Sequence, residues 1–287
     1  MKAKRITTLI MALALMLSLS ACGGNRDDIH ARIEGDTLYL SGRGTVNHED
    51  FDDFSPVIVV VEKGITGIGE GAFHMCGNMT EITLPEGMKS IGDGAFSACS
   101  SLKTVTLPES VKSIGEGAFR ECSGLLLISL PESVESIGQA AFYRCSSLMS
   151  INLPEGLKSI GDAAFNGCSS LTEITLPEGV KTIGEYAFLE CSSLTSVSLP
   201  EGVESIGVGA FYGCRSLRSI NLPDSVKSVG AEAFILCESL SEVTLGTGLQ
   251  EFPSFDGAYA LTRIKAPRSL QESAIKSGID LSLIEWY

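Results

Sequence analysis

Phe73, Phe96, Phe119, Phe142, Phe165, Phe188, Phe211 and Phe234 stand 23 residues apart, and Cys76, Cys99, Cys122, Cys145, Cys168, Cys191, Cys214 and Cys237 keep the same step. No insertion interrupts either series. A unit this short cannot bury its own apolar side chains, so a strict period means that copies stack and share one continuous core. It also makes the length of 287 residues a poor guide to domain number, since repeat arrays grow without dividing into domains.

The unit Leu102 to Gly124 shows the logic. Alternation from 104 to 107 puts Val105 and Leu107 on one face of a short strand and Thr104 and Thr106 on the other. Pro108 ends the ladder because it has no N–H to donate. Ile114 closes a second extended piece. The glycine after it, Gly115, recurs as Gly69, Gly92, Gly138, Gly161, Gly184, Gly207 and Gly230 and suits a sharp turn that a side chain would obstruct. A short helical turn is expected next, with Ala118, Phe119 and Cys122 on its inner face. Acids such as Glu70, Asp93, Glu116, Asp162 and Glu185 would then sit where a helix start favours negative charge.

The consensus Leu-x-x-Ile-x-Leu-Pro-Glu-x-Val-x-x-Ile-Gly-x-x-Ala-Phe-x-x-Cys, clear in stretches such as Ile174 to Gly184, resembles the 23-residue leucine-rich repeat of BspA-like and treponemal surface proteins over roughly 56–267. The resemblance implies an α/β fold, a curved leucine-rich repeat solenoid with a parallel β-sheet along its concave side, short helical turns and a cap at each end. It also implies a surface role in attachment to host matrix proteins or to other cells. It names no ligand.

The N-terminal segment reads as an address. Lys2, Lys4 and Arg5 precede an apolar run from Ile6 to Leu19, the pattern of a secretory signal. The run falls short of the ~20 residues that cross a bilayer as a helix. Leu19-Ser20-Ala21-Cys22 resembles the lipobox of bacterial lipoproteins, in which the Cys is acylated and begins the mature chain. The expected division is a signal peptide at 1–21, lipidated Cys22 with a linker to 31, an N-terminal cap at 32–55, the solenoid at 56–267 and a C-terminal cap at 268–287. Ile33 to Leu40, with Gly35-Asp36 at the turn, is read as a hairpin over the first open edge, and Phe51 and Phe54 as plugs beside it. At the other end Leu245-Gly246 lacks the Pro and no Phe-x-x-Cys follows, so the ninth unit is decayed. Leu261 to Pro267 supplies a tenth strand, and Ser269 to Ser277 a capping helix.

Eight cysteines in an exported body invite a disulfide scheme. Equivalent residues of stacked units lie ~4.8 Å apart with parallel side chains, whereas bridged cysteines need converging ones. Buried, reduced thiols acting as small apolar residues are favoured. Zinc is disfavoured because no Cys-x-x-Cys or His pair exists.

The outward strand positions form two columns. One contains Glu81, Thr104, Leu127, Ser150 and Glu173, and the other Thr83, Thr106, Ser129, Asn152, Thr175 and Asn221. Glu81, Thr83, Thr104, Thr106, Asn152, Glu173, Thr175 and Asn221 are the candidate binding face. The columns suit an extended chain or flat protein surface, yet they are poor in the aromatic and Arg anchors that usually carry interface energy. Short polar residues also simply suit an exposed sheet, and the two readings stand level. A second line, Glu86, Glu109, Glu132, Glu155, Glu178, Glu201 and Asp224, follows the prolines, with Lys89, Lys112, Lys158, Lys181 and Lys227 as expected counter-charges. Calcium is the weaker reading for these acids, because hard cations want converging oxygens rather than a row. Tyr143, Leu189, Tyr212 and Ile235-Leu236 mark the flank beyond the Phe column.

With 21 Lys+Arg against 35 Asp+Glu, the chain lacks the basic surface that nucleic acid requires. His30, His48 and His74 are the only histidines, so no Ser/His/Asp set can form in the later units. His48-Glu49-Asp50, near Asp52 and Asp53, reads as a solvated turn. No enzyme, cofactor, metal or small-molecule substrate is expected. The reading is a lipid-anchored protein on the bacterial cell surface that binds a protein partner by adhesion; the alternative is a structural or assembly component of the cell envelope.

Overall fold

The units from Glu81 to Val229 each contribute two rungs, stacked on their equivalents 23 residues away and paired with them in parallel along most of the stack. In the computed structural model, which describes residues 28–48 and 55–287, the first rung spans up to three residues. Thr104–Thr106, Glu173–Thr175 and Ser219–Asn221 are examples, each with its middle residue in the core. The second rung has two residues, as in Ser113–Ile114, with the isoleucine buried. Register is strict: Thr104 stands beside Leu127 and Thr106 beside Ser129, while Ser136 lies between Ser113 and Ser159.

The two ladders differ in continuity. The two-residue rungs run unbroken from the N-terminal cap to Ser228–Val229. The wider ladder, expected as one sheet, is interrupted after Glu81–Thr83, after Ser150–Ile151 and after Ser196–Ser198. The glycine that follows each short rung accounts for the contrast. A Cβ on Gly138 would lie 2.7 Å from the Gly115 carbonyl carbon, and one on Gly184 would lie 2.6 Å from the Asp162 amide nitrogen. Only glycine lets neighbouring backbones close up to this extent, and the wide rungs from Glu81 to Asn221 are each followed by Leu-Pro instead.

The helical turn expected after that glycine is corrected by the structure. Gly117 and Glu121 in one unit, and Tyr186 and Glu190 in another, have φ between 56° and 58°, and a left-handed residue halts a right-handed helix. Amides instead alternate in direction. Gly117, Phe119 and Glu121 donate to the carbonyls of Gln139, Ala141 and Tyr143 in the next unit, while Ala118, Arg120 and Cys122 donate back to Gly115, Gly117 and Phe119. The segment thus ties neighbouring units together as the strands do. Two of the acids expected at a helix start, Asp93 and Asp162, act between units instead. The Asp93 carboxylate accepts the Glu116 amide at 2.7 Å, and Asp162 accepts that of Glu185 at 2.7 Å.

Inside, like meets like. The rings from Phe73 to Phe234 are fully buried and stack at 5.2–5.6 Å between centroids, within 13° of parallel. The stack outlives the visible repeat, since Phe255 continues it at 5.8 Å from Phe234.

Both ends are closed. Strands β1 (Asp28–Glu34) and β2 (Thr37–Val46) form an antiparallel hairpin, longer than Ile33 to Leu40, turning at Gly35-Asp36. The first part of β2 pairs with Ile58–Val61 and its last part with Ile65–Ile68, so β2 is the first rung of both ladders. Phe51 and Phe54 lie outside the described residues. At the far end Arg263–Ala266 forms the strand expected within 261–267, and helix α1 (Gln271–Ser277) buries Ala274 beside Leu270. A last strand, Ile284–Trp286, joins the sheet in parallel, and the Tyr287 hydroxyl donates to the Leu245 carbonyl at 2.5 Å. With a hairpin over one end and a helix and strand over the other, the body is a closed unit with its own core.

Candidate protein-binding face

The alternation that buries the middle of each wide rung turns its neighbours outward. Glu81, Thr83, Thr104, Thr106, Asn152, Glu173, Thr175 and Asn221 are all exposed, Asn152 standing just past the rung Ser150–Ile151. Strict register keeps these side chains in rows rather than converging on a point. Glu173, Thr175 and Asn221 do share a shallow groove of about 250 Å³ with Ser196 and Ser198. It lies beside the interruption after Ser196–Ser198, and its floor includes the half-buried Val197 and Leu199. Glu81, Thr83, Thr104, Thr106 and Asn152 stand apart from it.

The strip is not uniformly polar. Leu126, Leu127 and Met149 are exposed on adjoining rungs, with the Met149 amide donating to the Leu126 carbonyl. The signal was visible in the sequence, because this unit reads Gly124-Leu125-Leu126-Leu127 where the preceding one has Ser101-Leu102-Lys103-Thr104. Column-by-column comparison of exposed positions would have found it.

The opposite flank carries different chemistry. The Tyr143 ring lies under the guanidinium groups of Arg120, 4.9 Å away, and Arg144, 5.2 Å away, a cation–π arrangement. Next to it, Arg144, Gly167, Ser169, Glu190, Ser192, Gly213 and Arg215 line a second hollow of about 350 Å³.

The acids after the prolines remain a solvated row, and two of their expected lysine partners, Lys158 and Lys227, pair elsewhere. Lys158 binds Glu135, and Lys227 binds Glu204 at 2.6 Å, each lysine meeting the acid that occupies its own position one unit earlier. Those lysines hold the Glu135 and Glu204 carboxyls below their ordinary range, chiefly through the hydrogen bond. Among the described residues no group of three or more His, Cys, Asp or Glu side chains could hold a metal ion.

The eight thiols are free and buried. Seven of them, Cys99 to Cys237, donate to the carbonyl of the phenylalanine in the preceding unit at 3.0–3.2 Å. Desolvation pushes Cys76 up to about 11 and Cys122 and Cys237 up to about 12. No thiol here has the exposed, electropositive setting that makes cysteine a nucleophile. Cys22, the expected lipidation site, and the polar cluster at 49–53 lie outside the described residues. Among the described residues no helix is long and apolar enough to cross a membrane.

Parallel rungs from a 23-residue unit, stacked aromatic and aliphatic columns and covered ends define a leucine-rich repeat solenoid, a class that works as a scaffold for protein binding. More particularly, residues 45–172 and 158–277 match the model of the BspA type leucine rich repeat region, and the chain belongs to that family. Among solved structures it is similar to the leucine-rich repeat protein of T. pallidum, at 28% identity and a TM-score of 0.54, covering 90% of this chain and 95% of that one. It is also similar to a leucine-rich repeat protein from Eubacterium ventriosum, at 26% identity and a TM-score of 0.51, covering 84% of this chain and 76% of the other. No curated protein matches it.

Proposed function

We propose that this chain is a lipid-anchored adhesion protein of the bacterial cell surface, held by acylated Cys22 and binding a matrix or cell-surface protein through the outward residues of its wide rungs. The observation that carries the reading is the exposed strip from Glu81 to Asn221, borne on a frame whose columns are fixed by buried phenylalanines. A rigid, regular row of hydroxyl, amide and carboxylate groups offers hydrogen bonds to a protein surface at little entropic cost. The groove at Glu173, Thr175 and Asn221 gives that surface one place to insert a side chain.

The test is surface capture of residues 23–287 on matrix glycoproteins and bacterial cells, beside a variant carrying Thr83→Lys, Thr106→Lys and Thr175→Lys. Saturable binding that the variant loses is expected. Binding that survives moves the site to the Tyr143 flank, and absence of any binding favours the envelope-assembly role. For the anchor, Cys22→Ala is expected to abolish incorporation of labelled fatty acid; undiminished label in that variant refutes the assignment.

A further inference from the structure

Leu126, Leu127 and Met149 are 36%, 52% and 51% exposed. Equivalent positions on the other rungs from Glu81 to Glu242 are polar, Lys103, Thr104, Thr172, Glu173 and Arg218 among them, while the rung next to the N-terminal cap has the half-buried Val57 and Ile58. Single exposed apolar residues need no explanation, but a contiguous group on an otherwise polar strip marks a contact site. Its surroundings identify the partner. The rung before the group carries Lys103 and the rung after it carries Glu173. Among the described residues neither has an ion-pair partner within this chain.

We infer that this patch is the centre of a two-fold contact between two copies of the chain, running antiparallel, with Lys103 of each facing Glu173 of the other. A two-fold axis lying in the contact plane along the strand direction, and passing between the Leu127 and Met149 rungs, exchanges the Lys103 rung with the Glu173 rung. It also sets Leu126 and Leu127 of one copy against Met149 of its partner. An axis parallel to the stack would oppose lysine to lysine and glutamate to glutamate, which repel. The six rungs from Glu81 to Ser196 extend about 24 Å at ~4.8 Å per rung, and a strip that is only two or three outward residues wide buries less than the ~1,200 Å² of a stable interface. The dimer is therefore weak and concentration-dependent. The contact uses the face assigned above to protein binding and rests on that reading, whose partner it names as a second copy of the same chain.

Sedimentation equilibrium of residues 23–287 from micromolar to millimolar concentration tests the inference. A monomer–dimer equilibrium is expected. Leu127→Lys should weaken it about tenfold or more, as loss of a central apolar anchor does. Lys103→Glu and Glu173→Lys should each weaken it several-fold, and the two together should restore it. These side chains are exposed, so unchanged melting temperatures will confirm intact folds. A monomer at every concentration, a dimer indifferent to Leu127→Lys, or a double swap that fails to restore association overturns the proposal. Capture on matrix glycoproteins, run on the same samples, separates the two readings. Capture by a strict monomer removes the self-contact and leaves heterophilic adhesion standing. A dimer that captures no matrix protein keeps the self-contact and removes the matrix ligand.

Discussion

Raising the pH from 8 to 10 should strip this protein of most of its stability, because unfolding releases protons from eight buried thiols at once. An unfolded thiol ionises at its ordinary value of 9.0, while the least shifted of the buried ones, Cys76, holds its proton to about 11. The sign follows from proton counting: above pH 9 the unfolded state binds fewer protons than the native one, so stability falls as pH rises. The contribution is complete below pH 9 and is lost progressively until the buried thiols themselves ionise, from about 11 upward. At pH 10 each thiol costs about 1.4 kcal/mol, and eight cost about 11 kcal/mol, comparable with the whole stability of an ordinary domain. Urea titrations followed by circular dichroism at pH 7, 8, 9 and 10, with reductant present, should show the midpoint steady to pH 8 and then falling steeply. The triple variant Cys145→Ala, Cys168→Ala and Cys191→Ala removes three of the eight protons. Its midpoint should start lower at pH 7, because small cavities remain, and then fall less steeply. A midpoint that is flat between pH 8 and 10, or a slope unchanged in the triple variant, would refute the argument.

Other outcomes follow from the same frame. Phe165→Ala, in the middle of the ring stack, should cost about 3–5 kcal/mol, while Thr106→Ala on the outer strip should change stability by less than about 0.5 kcal/mol; thermal melts compare them. Gly138→Ala sets a Cβ against the backbone of Gly115 and Glu116 and should lower stability by about 1–3 kcal/mol, read from the urea midpoint. Ellman's reagent at neutral pH should leave the native thiols unmodified and label all eight on unfolding, with Cys76 first during partial denaturation because it is the least buried of the set. The Glu135 carboxyl should titrate by NMR below the ordinary glutamate range and return to it in Lys158→Met. Its contribution, present above the ordinary value and lost as pH falls, should also fade in high salt because the pair is exposed.

Most of the frame was legible because periodicity reports burial directly. Phe119, Cys122, Val105 and Ile114 each recur at one register, and each is buried. The helical turn was misread for a definite reason. Ala118, Phe119 and Cys122 have helical spacing, yet the φ of about 60° at Gly117 and Glu121 is set by hydrogen bonds to the next unit, and a pattern within one unit cannot show bonds between units. Phe255 was overlooked because it stands 21 residues after Phe234 and lacks its cysteine. The lysine partners were sought three residues away along the chain, where a solenoid instead offers neighbours one whole unit away. The polar strip was placed by strand alternation alone. Its apolar centre escaped notice because the core positions of that unit, Leu125, Ile128 and Leu130, are conventional, and the departure lies only in residues that face outward.

A column in which every side chain meets its own kind in the next unit has no preferred length. Removing one complete unit would bring Phe119 against Phe165 and leave the neighbouring contacts as they were. Gene-level duplication or loss of a whole repeat therefore changes the reach of the molecule in steps of ~4.8 Å without a new folding problem. The stack is in this sense an adjustable ruler, and related chains can differ in how far they extend while sharing the same cross-section.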